Sequence, residues 1–440
     1  MTYFKKINTS NIILFIGFII LVFFRLSNKT FFDDEVGSIQ VIKNFDNVID
    51  LYLYINNWDV SPPLSYIIVY LSNLIFSYQY VPIIFLPVQI VCINIFLKHS
   101  ELLIIDNKIN KFIYKISIIF NPIFILWCTS LRWYSLWVPL ALAIIGIFYF
   151  KKNIKNKDIT IIFLIASVMF HISYLTIVFM TALIISNHKI IFKYIVNNKI
   201  AVVLLFIINL PQFYFLAFQH LINSPSQFGN IYYSFIFPFI TTIFGNSFLP
   251  FEYLSVIYFL LLITIIFINL KNHKFINILI KLKKVIIFSS SFFLLMFLLK
   301  IGHKPRHSII LNYLFCFFIF LNLSFNKKKI FKSILIFIFL MIIFLGNKNN
   351  ILEQNVIKNN INLPIKAIFK IIDNSNYSCT KKYIFTHNIK IKHFFYDKNF
   401  FLVNPNQEIL NDKNNEKCIY IIKSFIGGDT QQPLDEDYSN

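Results

Sequence analysis

Residues 11–24 read NIILFIGFIILVFF, an apolar run that follows Lys5 and Lys6. No small-residue cleavage site follows the run, and more apolar stretches come after it, so we interpret it as a retained membrane anchor rather than a signal peptide. Other stretches also approach the ~20 apolar residues that cross ~30 Å of hydrocarbon, where the backbone must be helical. They lie at residues 81–97, 113–129, 134–150, 159–172, 174–187, 200–216, 254–270, 285–299, 308–325 and 330–346.

The composition excludes a soluble protein. The 440 residues are 57% hydrophobic and 14% charged, whereas a soluble chain has roughly 25% charged residues. The mean hydropathy is +0.67. We therefore predict an all-α polytopic membrane protein with about 11 transmembrane helices.

The net charge of +21 would suggest nucleic-acid binding in a soluble chain. With a cytoplasmic N-terminus, however, the inner segments hold 22 lysines, the outer loops seven Lys or Arg, and the C-terminal tail twelve Lys. This is the positive-inside pattern, and it places the tail outside. Most of the charge therefore reflects topology, and we predict no nucleic-acid partner.

Two further apolar segments lie at residues 62–78 and 231–250. If either of them alone crossed the membrane, all later segments would change sides and the positive-inside pattern would be lost. The tyrosines and prolines of these two apolar segments favour interfacial helices on the outer face, although short spans remain an alternative. We predict a membrane domain over 1–346, with an outer loop at 28–80, and a small outer α/β domain over 347–440. Within the latter, 382–386 and 417–423 resemble strands.

The cysteines fall into two groups. Cys379 and Cys418 lie in the predicted outer domain, where an oxidising compartment would permit a disulfide. Cys92, Cys128 and Cys316 lie in spans and are interpreted as packing residues.

An acidic cluster in the first outer loop is the first candidate site. Asp33, Asp34 and Glu35 are consecutive, between Phe31-Phe32 and Val36-Gly37. An acidic triplet can simply cap a helix on the surface. At a membrane surface, however, such carboxylates can also act as a general base or hold a cation.

Arginine is scarce: the chain has only Arg25, Arg132 and Arg306 among 41 basic residues. Its fixed, bidentate fork suits phosphate better than lysine does. Arg132 and Arg306 both fall at predicted outer span ends, although a single Arg there can also contact headgroups. These two arginines and the acidic cluster predict a phosphate site on the outer face.

Histidines accompany these positions. His171 falls at a predicted outer turn between two spans, where a structural role is the alternative to ligand contact. His303 and His307 flank Lys304 and Arg306, a basic run that suits either a phosphate pocket or lipid headgroups.

Four motifs occur in a recognisable order: FDDEVGSI (32–39), SPPLSY (61–66), SLRWY (130–134) and KPRH (304–307). Together they resemble the GT-C superfamily of polytopic glycosyltransferases, closest to the dolichyl-phosphate-mannose protein mannosyltransferases and the lipid A aminoarabinose transferase. The resemblance covers roughly residues 11–346. His307 departs from the aromatic residue usual after the basic residue of the last motif.

The resemblance implies a sugar donor on a polyprenyl or dolichyl phosphate, a lipid-exposed cavity, transfer with inversion, and catalysis by an outer-loop Asp, here Asp34 with Glu35 second. We predict that Arg132, Arg306 and Lys304 bind the leaving phosphate. We also predict that the acceptor is a hydroxyl of a lipid or glycan at the extracytoplasmic face of a bacterial inner membrane. The remaining predicted substrate contacts are Asp33, Tyr66, Tyr134, His171, His303 and His307. Some superfamily members require a divalent cation such as Mg²⁺ or Mn²⁺ and others do not, so both a metal-dependent and a metal-independent reaction remain alternatives.

Two other functional classes are alternatives to a glycosyltransferase. A transporter or flippase of lipid-linked sugars would carry charged residues within its spans, whereas here the charges cluster at span ends. A glycan polymerase also uses outer arginines, but its large loop usually lies late in the chain, whereas the acidic loop here is early.

Overall fold

The computed structural model describes residues 9–27, 29, 33–58, 61–104, 108–217, 269, 272–298, 309–325, most of 332–348, and the short segments 381–385, 400–402 and 417–421. Internal contacts divide the chain into two compact units. The first contains Met1–Lys29 and Val41–Asn355, and the second contains Thr30–Gln40 and Val356–Asn440. The acidic motif is thus grouped with the C-terminal part, which the sequence did not predict.

Apart from three short strands, most of the described residues lie in helices. In chain order the described helices are α1 (Thr9–Ser27), α2 (Asp33–Lys43), α3 (Val48–Trp58), α4 (Leu64–Asn73), α5 (Leu86–Ser100), α6 (Lys108–Ile119), α7 (Pro122–Cys128), α8 (Tyr134–Ile145), α9 (Asn156–Ile172), α10 (Leu175–Asn197), α11 (Lys199–Phe215), His273–Lys281, Lys283–Leu298 and Ile309–Phe325.

Several of these helices have the length and apolar character of membrane spans. Within the described residues, four candidate spans occur at Ser10–Ser27, Val81–Leu103, Lys108–Cys128 and Leu175–Asn197. They coincide with four predicted spans. Other predicted spans match shorter apolar helices, whereas nearly all of 254–270 lies outside the described residues, so the total of about 11 stays a prediction.

One predicted span is interrupted. The stretch 113–129 contains a break between α6 and α7, where the Asn121 side chain accepts hydrogen bonds from the backbone N–H groups of Ile123 (3.1 Å) and Phe124 (3.2 Å). Pro122 follows at the first helical position. Asn-Pro is therefore an N-cap that starts a new helix.

A second difference concerns α10. The segment 188–199, between the predicted spans 174–187 and 200–216, is mostly helical, because α10 continues to Asn197 across a kink at Asn187. The backbone there has φ −141° and ψ 26°, and the Asn187 side chain donates to Ser186 Oγ at 2.9 Å. Apolar Ile190, Ile191 and Ile195 continue the helical pattern beyond the kink, so α10 is longer than the predicted span 174–187.

Of the two predicted interfacial segments, 62–78 contains one short helix, α4. At 1.5 Å per residue, the ten residues of α4 are about 15 Å long, roughly half of the hydrocarbon thickness. This length fits an interfacial helix. Residues 231–250 lie outside the described residues.

Helices α5 and α8 approach each other closely at Gly146, which follows α8. A Cβ there would lie 2.8 Å from Phe96 Cα and 3.3 Å from Ile95 O. Neither backbone atom can move without moving α5, so only glycine permits this spacing. The close contact fixes α8, and with it the loop that precedes α8.

In the second unit, the described strands form a parallel sheet with the order β2-β1-β3. The strands are β1 (Lys381–Phe385), β2 (Phe400–Leu402) and β3 (Lys417–Ile421). The strand-like pieces 382–386 and 417–423 correspond to β1 and β3. The α/β domain itself stays a prediction, because the segments between the strands lie outside the described residues, as does Cys379.

Candidate functional site

Arg132 lies in a short loop between α7 and α8. We call Thr129–Trp133 the Arg132 loop. Its backbone is held locally, because Arg132 N donates to Ser130 Oγ (3.1 Å) and Ser135 Oγ donates to Arg132 O (2.9 Å). The serines of the SLRWYS sequence therefore shape the turn that presents the guanidinium.

Tyr66 of α4 contacts this guanidinium. Arg132 Nη1 donates a hydrogen bond to Tyr66 Oη, and Arg132 Cζ lies 5.5 Å from the centre of the Tyr66 ring, a cation–π contact. The two residues are 66 positions apart in the chain. The structure thus brings together two of the motifs that the sequence singled out, SPPLSY and SLRWY.

Two further cations contact the Arg132 loop, and no role was predicted for either. Arg25, at the end of α1, is 1% exposed and donates from Nε to Thr129 Oγ1 at 2.9 Å. Lys29 donates from Nζ to Thr129 O at 2.5 Å. The scarcity of arginine was the sequence signal for Arg25, whereas nothing distinguishes Lys29 from the other lysines.

Tyr134, a predicted substrate contact, lies in an aromatic cluster. Its ring centre is 4.0 Å from that of Trp133 and 5.3 Å from that of Trp127, and the residue is only 2% exposed. This packing gives the loop a rigid aromatic base. Contact between Tyr134 and substrate stays a prediction.

His171 lies where the sequence predicted, in the last turn of α9 just before α10 begins at Leu175. Its Nε2 is buried and has no hydrogen-bond partner among the described residues. The centre of its ring lies 6.5 Å from that of the Phe170 ring. A role in ligand contact therefore stays a prediction.

A buried polar network that the sequence did not reveal joins α3, α11 and Tyr174, the residue just before α10. Gln212, which is fully buried, donates to Asn56 Oδ1 at 3.4 Å and accepts a hydrogen bond from Tyr174 Oη at 3.2 Å. Amide side chains of this kind hold helices together in lipid.

The acidic motif forms the first turn of α2, where carboxylates interact favourably with the helix dipole. Glu35 is fully buried, and Ser38 and Ile39 share its buried face. The side chains of Asp33 and Asp34 lie outside the described residues. So do His303, Lys304, Arg306 and His307.

The described part of the chain contains no group of three or more His, Cys, Asp or Glu side chains placed to hold a metal ion. Cys92, Cys128 and Cys316 are buried and unbridged, as expected for packing residues.

Comparison with solved structures gives a fold match. The chain is similar to ArnT from Cupriavidus metallidurans in the apo state, with a TM-score of 0.58 and 11% sequence identity, over 90% of this chain and 86% of that one. No family model and no curated protein matches the sequence. The likeness shows that the chain has the fold of ArnT, a polytopic membrane fold, in agreement with the resemblance on which the motifs were singled out.

Proposed function

We propose that the chain is a membrane glycosyltransferase that moves a sugar from a polyprenyl-phosphate donor to an acceptor hydroxyl with inversion. The observation that supports this most strongly is the contact between Tyr66 and Arg132, which joins two GT-C motifs within a GT-C fold. ArnT is a lipid A aminoarabinose transferase, so the same fold serves sugar transfer from a lipid-linked donor.

In the proposed reaction the acceptor oxygen attacks the anomeric carbon from the face opposite the phosphate. The bond between that carbon and the phosphate oxygen breaks, and polyprenyl phosphate leaves with the electron pair. Asp34 takes the proton of the acceptor hydroxyl. Because negative charge grows on the phosphate, catalysis depends chiefly on cations that stabilise it.

Arg132 is the cation that the structure describes in most detail. Tyr66 holds one of its terminal nitrogens, which fixes the plane of the guanidinium. A guanidinium held in one plane can present paired donors to phosphate oxygens. We assign Arg132 to the leaving phosphate, together with Lys304 and Arg306.

The choice of base follows from the helical position of the motif. Glu35 lies on the buried face of α2 with Ser38 and Ile39, so a structural role suits it better than proton transfer. Asp34, one position earlier, is therefore the first choice for the base and Glu35 the second. Asp33 either caps the turn or joins a cation site, and no step is assigned to a metal.

The remaining predicted residues complete the proposed donor site. Tyr134 and His171 would contact the sugar, whereas His303 and His307 would tune the basic run around Arg306. The acceptor would be a lipid or glycan at the extracytoplasmic face of a bacterial inner membrane, with the N-terminus in the cytoplasm and the C-terminal domain outside.

The test replaces Asp34 with Asn in the full-length chain in nanodiscs and measures transfer from a panel of polyprenyl-phosphate sugars. Loss of a base costs about 10²–10⁴-fold in rate. Asp50→Asn is the matched control, because Asp50 is an exposed acidic residue of the same loop whose described partner is Asn47, at 2.6 Å. Near-normal transfer by Asp34→Asn would remove Asp34 from the role of base.

The same assay separates the alternatives. A flippase would move the lipid-linked sugar across the bilayer without cleaving it, and a polymerase would lengthen a glycan held on a lipid pyrophosphate. Release of polyprenyl monophosphate that requires an acceptor supports the transferase. Translocation without release would contradict it.

A further inference from the structure

The Arg132 loop is held at both ends by one buried side chain of α5. Gln89 is fully buried, and its Nε2 donates to Cys128 O at 2.9 Å and to Ser135 O at 3.1 Å. These carbonyl groups lie just before and just after the loop. A single amide group therefore fixes the distance between the two ends of the loop.

The beginning of the loop is held by two cations. Arg25 Nε donates to the Thr129 hydroxyl at 2.9 Å and Lys29 Nζ to the Thr129 carbonyl at 2.5 Å. Both cations are at least nine-tenths buried. Hydrogen bonds from charged donors are stronger than those between neutral groups, and more so where water is excluded.

Burying two cations at one loop is costly. Apolar side chains of similar size would pack as well, and often better. A contact that served only packing would not need charged donors, whereas a loop that must present a ligand-binding side chain in one place gains from the rigidity that charge-assisted hydrogen bonds to Thr129 give.

We infer that Arg25, Lys29 and Gln89 are positioning residues, and we call them the supporting network. They hold the Arg132 loop so that the guanidinium meets the donor phosphate in a productive orientation. This inference rests on the proposed function. Sites of this kind must be held within about 0.5 Å of the productive geometry, and a misplacement of about 1 Å can cost about 100-fold in rate.

The test removes hydrogen bonds of the network without removing a charge. Thr129→Val keeps the shape of the side chain but loses the hydroxyl that accepts from Arg25, whereas Thr129→Ser keeps the hydroxyl. Gln89→Met keeps the volume and loses both donated bonds. Tyr149→Phe is the control, because it removes a comparable hydrogen bond, to Ser186 Oγ at 2.5 Å, in the turn that follows the far end of α8.

The first readout does not depend on activity. Trp133 lies in the loop, with its ring centre 4.0 Å from that of Tyr134 and 5.7 Å from that of Trp137. The chain in nanodiscs is labelled with 5-fluorotryptophan, and the Trp133 resonance is assigned with Trp133→Phe. We expect one Trp133 signal in the parent, Thr129→Ser and Tyr149→Phe proteins, and a shifted or second signal in Thr129→Val and Gln89→Met.

The second readout is transfer from the polyprenyl-phosphate sugar. We expect kcat/KM to fall about 100-fold in Thr129→Val and Gln89→Met, and to stay close to the parent value in Thr129→Ser. Tyr149→Phe is expected to lower the unfolding temperature while leaving kcat/KM unchanged. This pattern separates positioning from general stability, because the control loses stability but keeps activity.

The outcomes divide clearly. An unchanged Trp133 signal in both Thr129→Val and Gln89→Met would overturn the inference, as would a changed signal with unchanged transfer. If either Thr129→Val or Gln89→Met fails to fold, the Trp133 signal and the transfer rate of the other variant decide the outcome. If the parent protein transfers no sugar, the proposed function fails while the Trp133 signal still decides whether the network holds the loop.

Discussion

Replacing Tyr66 with Phe removes one oxygen atom from the best-defined contact of the candidate site. The variant keeps the ring, which lies 5.5 Å from Arg132 Cζ, and loses only the hydroxyl that accepts a hydrogen bond from Nη1. Tyr66 is 4% exposed, so water cannot easily replace the lost acceptor. We expect the guanidinium to lose its fixed orientation while the fold is retained.

The size of the effect follows from the charge of the donor. A hydrogen bond to a charged group is worth about 1.5–3 kcal/mol, and 1.36 kcal/mol corresponds to about tenfold in rate. Tyr66→Phe should therefore lower kcat/KM by roughly 10- to 100-fold. Tyr66→Leu also loses the cation–π contact, worth about 0.5–2 kcal/mol, and should be slower still.

A double-mutant cycle tests whether this loss passes through Arg132. Transfer is measured for the parent, Tyr66→Phe, Arg132→Lys and the double variant, with folding checked by thermal unfolding of each. If the hydroxyl acts by orienting the guanidinium, the second substitution adds little to the first. Fully additive losses would refute this reasoning, because Tyr66 would then act independently of Arg132.

Three further predictions concern stability and are measured by reversible unfolding in detergent. Gly146→Ala places a methyl group 2.8 Å from Phe96 Cα and should lower the unfolding free energy by about 1–3 kcal/mol. Gly37→Ala, with nothing within 4 Å of the new methyl group, is the control and should be neutral or stabilising by about 0.5–1 kcal/mol. Equal effects of the two substitutions would contradict the close approach of α5 and α8. Asn121→Ala removes the cap of α7 and should cost about 0.5–2 kcal/mol, so an unchanged unfolding free energy would mean that the cap contributes nothing. Burial first, and the neighbouring Tyr70 second, raise the pKa of Tyr78 to about 12, whereas the pKa in the unfolded chain is near 10. As the pH rises, the unfolded chain therefore loses this proton first, so the stabilisation is present below pH 10 and is lost as the pH rises to about 12. The unfolding free energy of Tyr78→Phe should fall less than that of the parent over this window.

The sequence predicted the features that depend on local pattern. Apolar stretches such as 11–24 need only length and composition to be recognised as spans, and α1 covers that stretch. The sequence singled out Tyr66 and Arg132 separately, through two motifs of the resemblance. It did not predict that they contact each other, because contacts between residues 66 positions apart are not encoded in any periodicity.

The features that were missed depend on tertiary packing. Gln89 is a single polar residue in an apolar helix, and nothing in the sequence shows that its amide bonds Cys128 and Ser135. Lys29 resembles every other lysine near a span end until its contact with Thr129 is seen. The break at Asn121 has a sequence signal, because Asn followed by Pro is typical of a helix N-terminus. It was not predicted, because the apolar residues on both sides form one continuous stretch of the length of a span.

The central claim is that this GT-C-fold chain cleaves a polyprenyl-phosphate sugar, with Arg132 holding the departing phosphate. Mass spectrometry of the lipid products is the most direct test, with the purified full-length chain in nanodiscs, a polyprenyl-phosphate sugar and a hydroxyl acceptor. The account predicts acceptor-dependent release of polyprenyl monophosphate, and strongly reduced release by Arg132→Gln. Intact donor across the whole panel of sugars and acceptors, or equal release by Arg132→Gln, would contradict it.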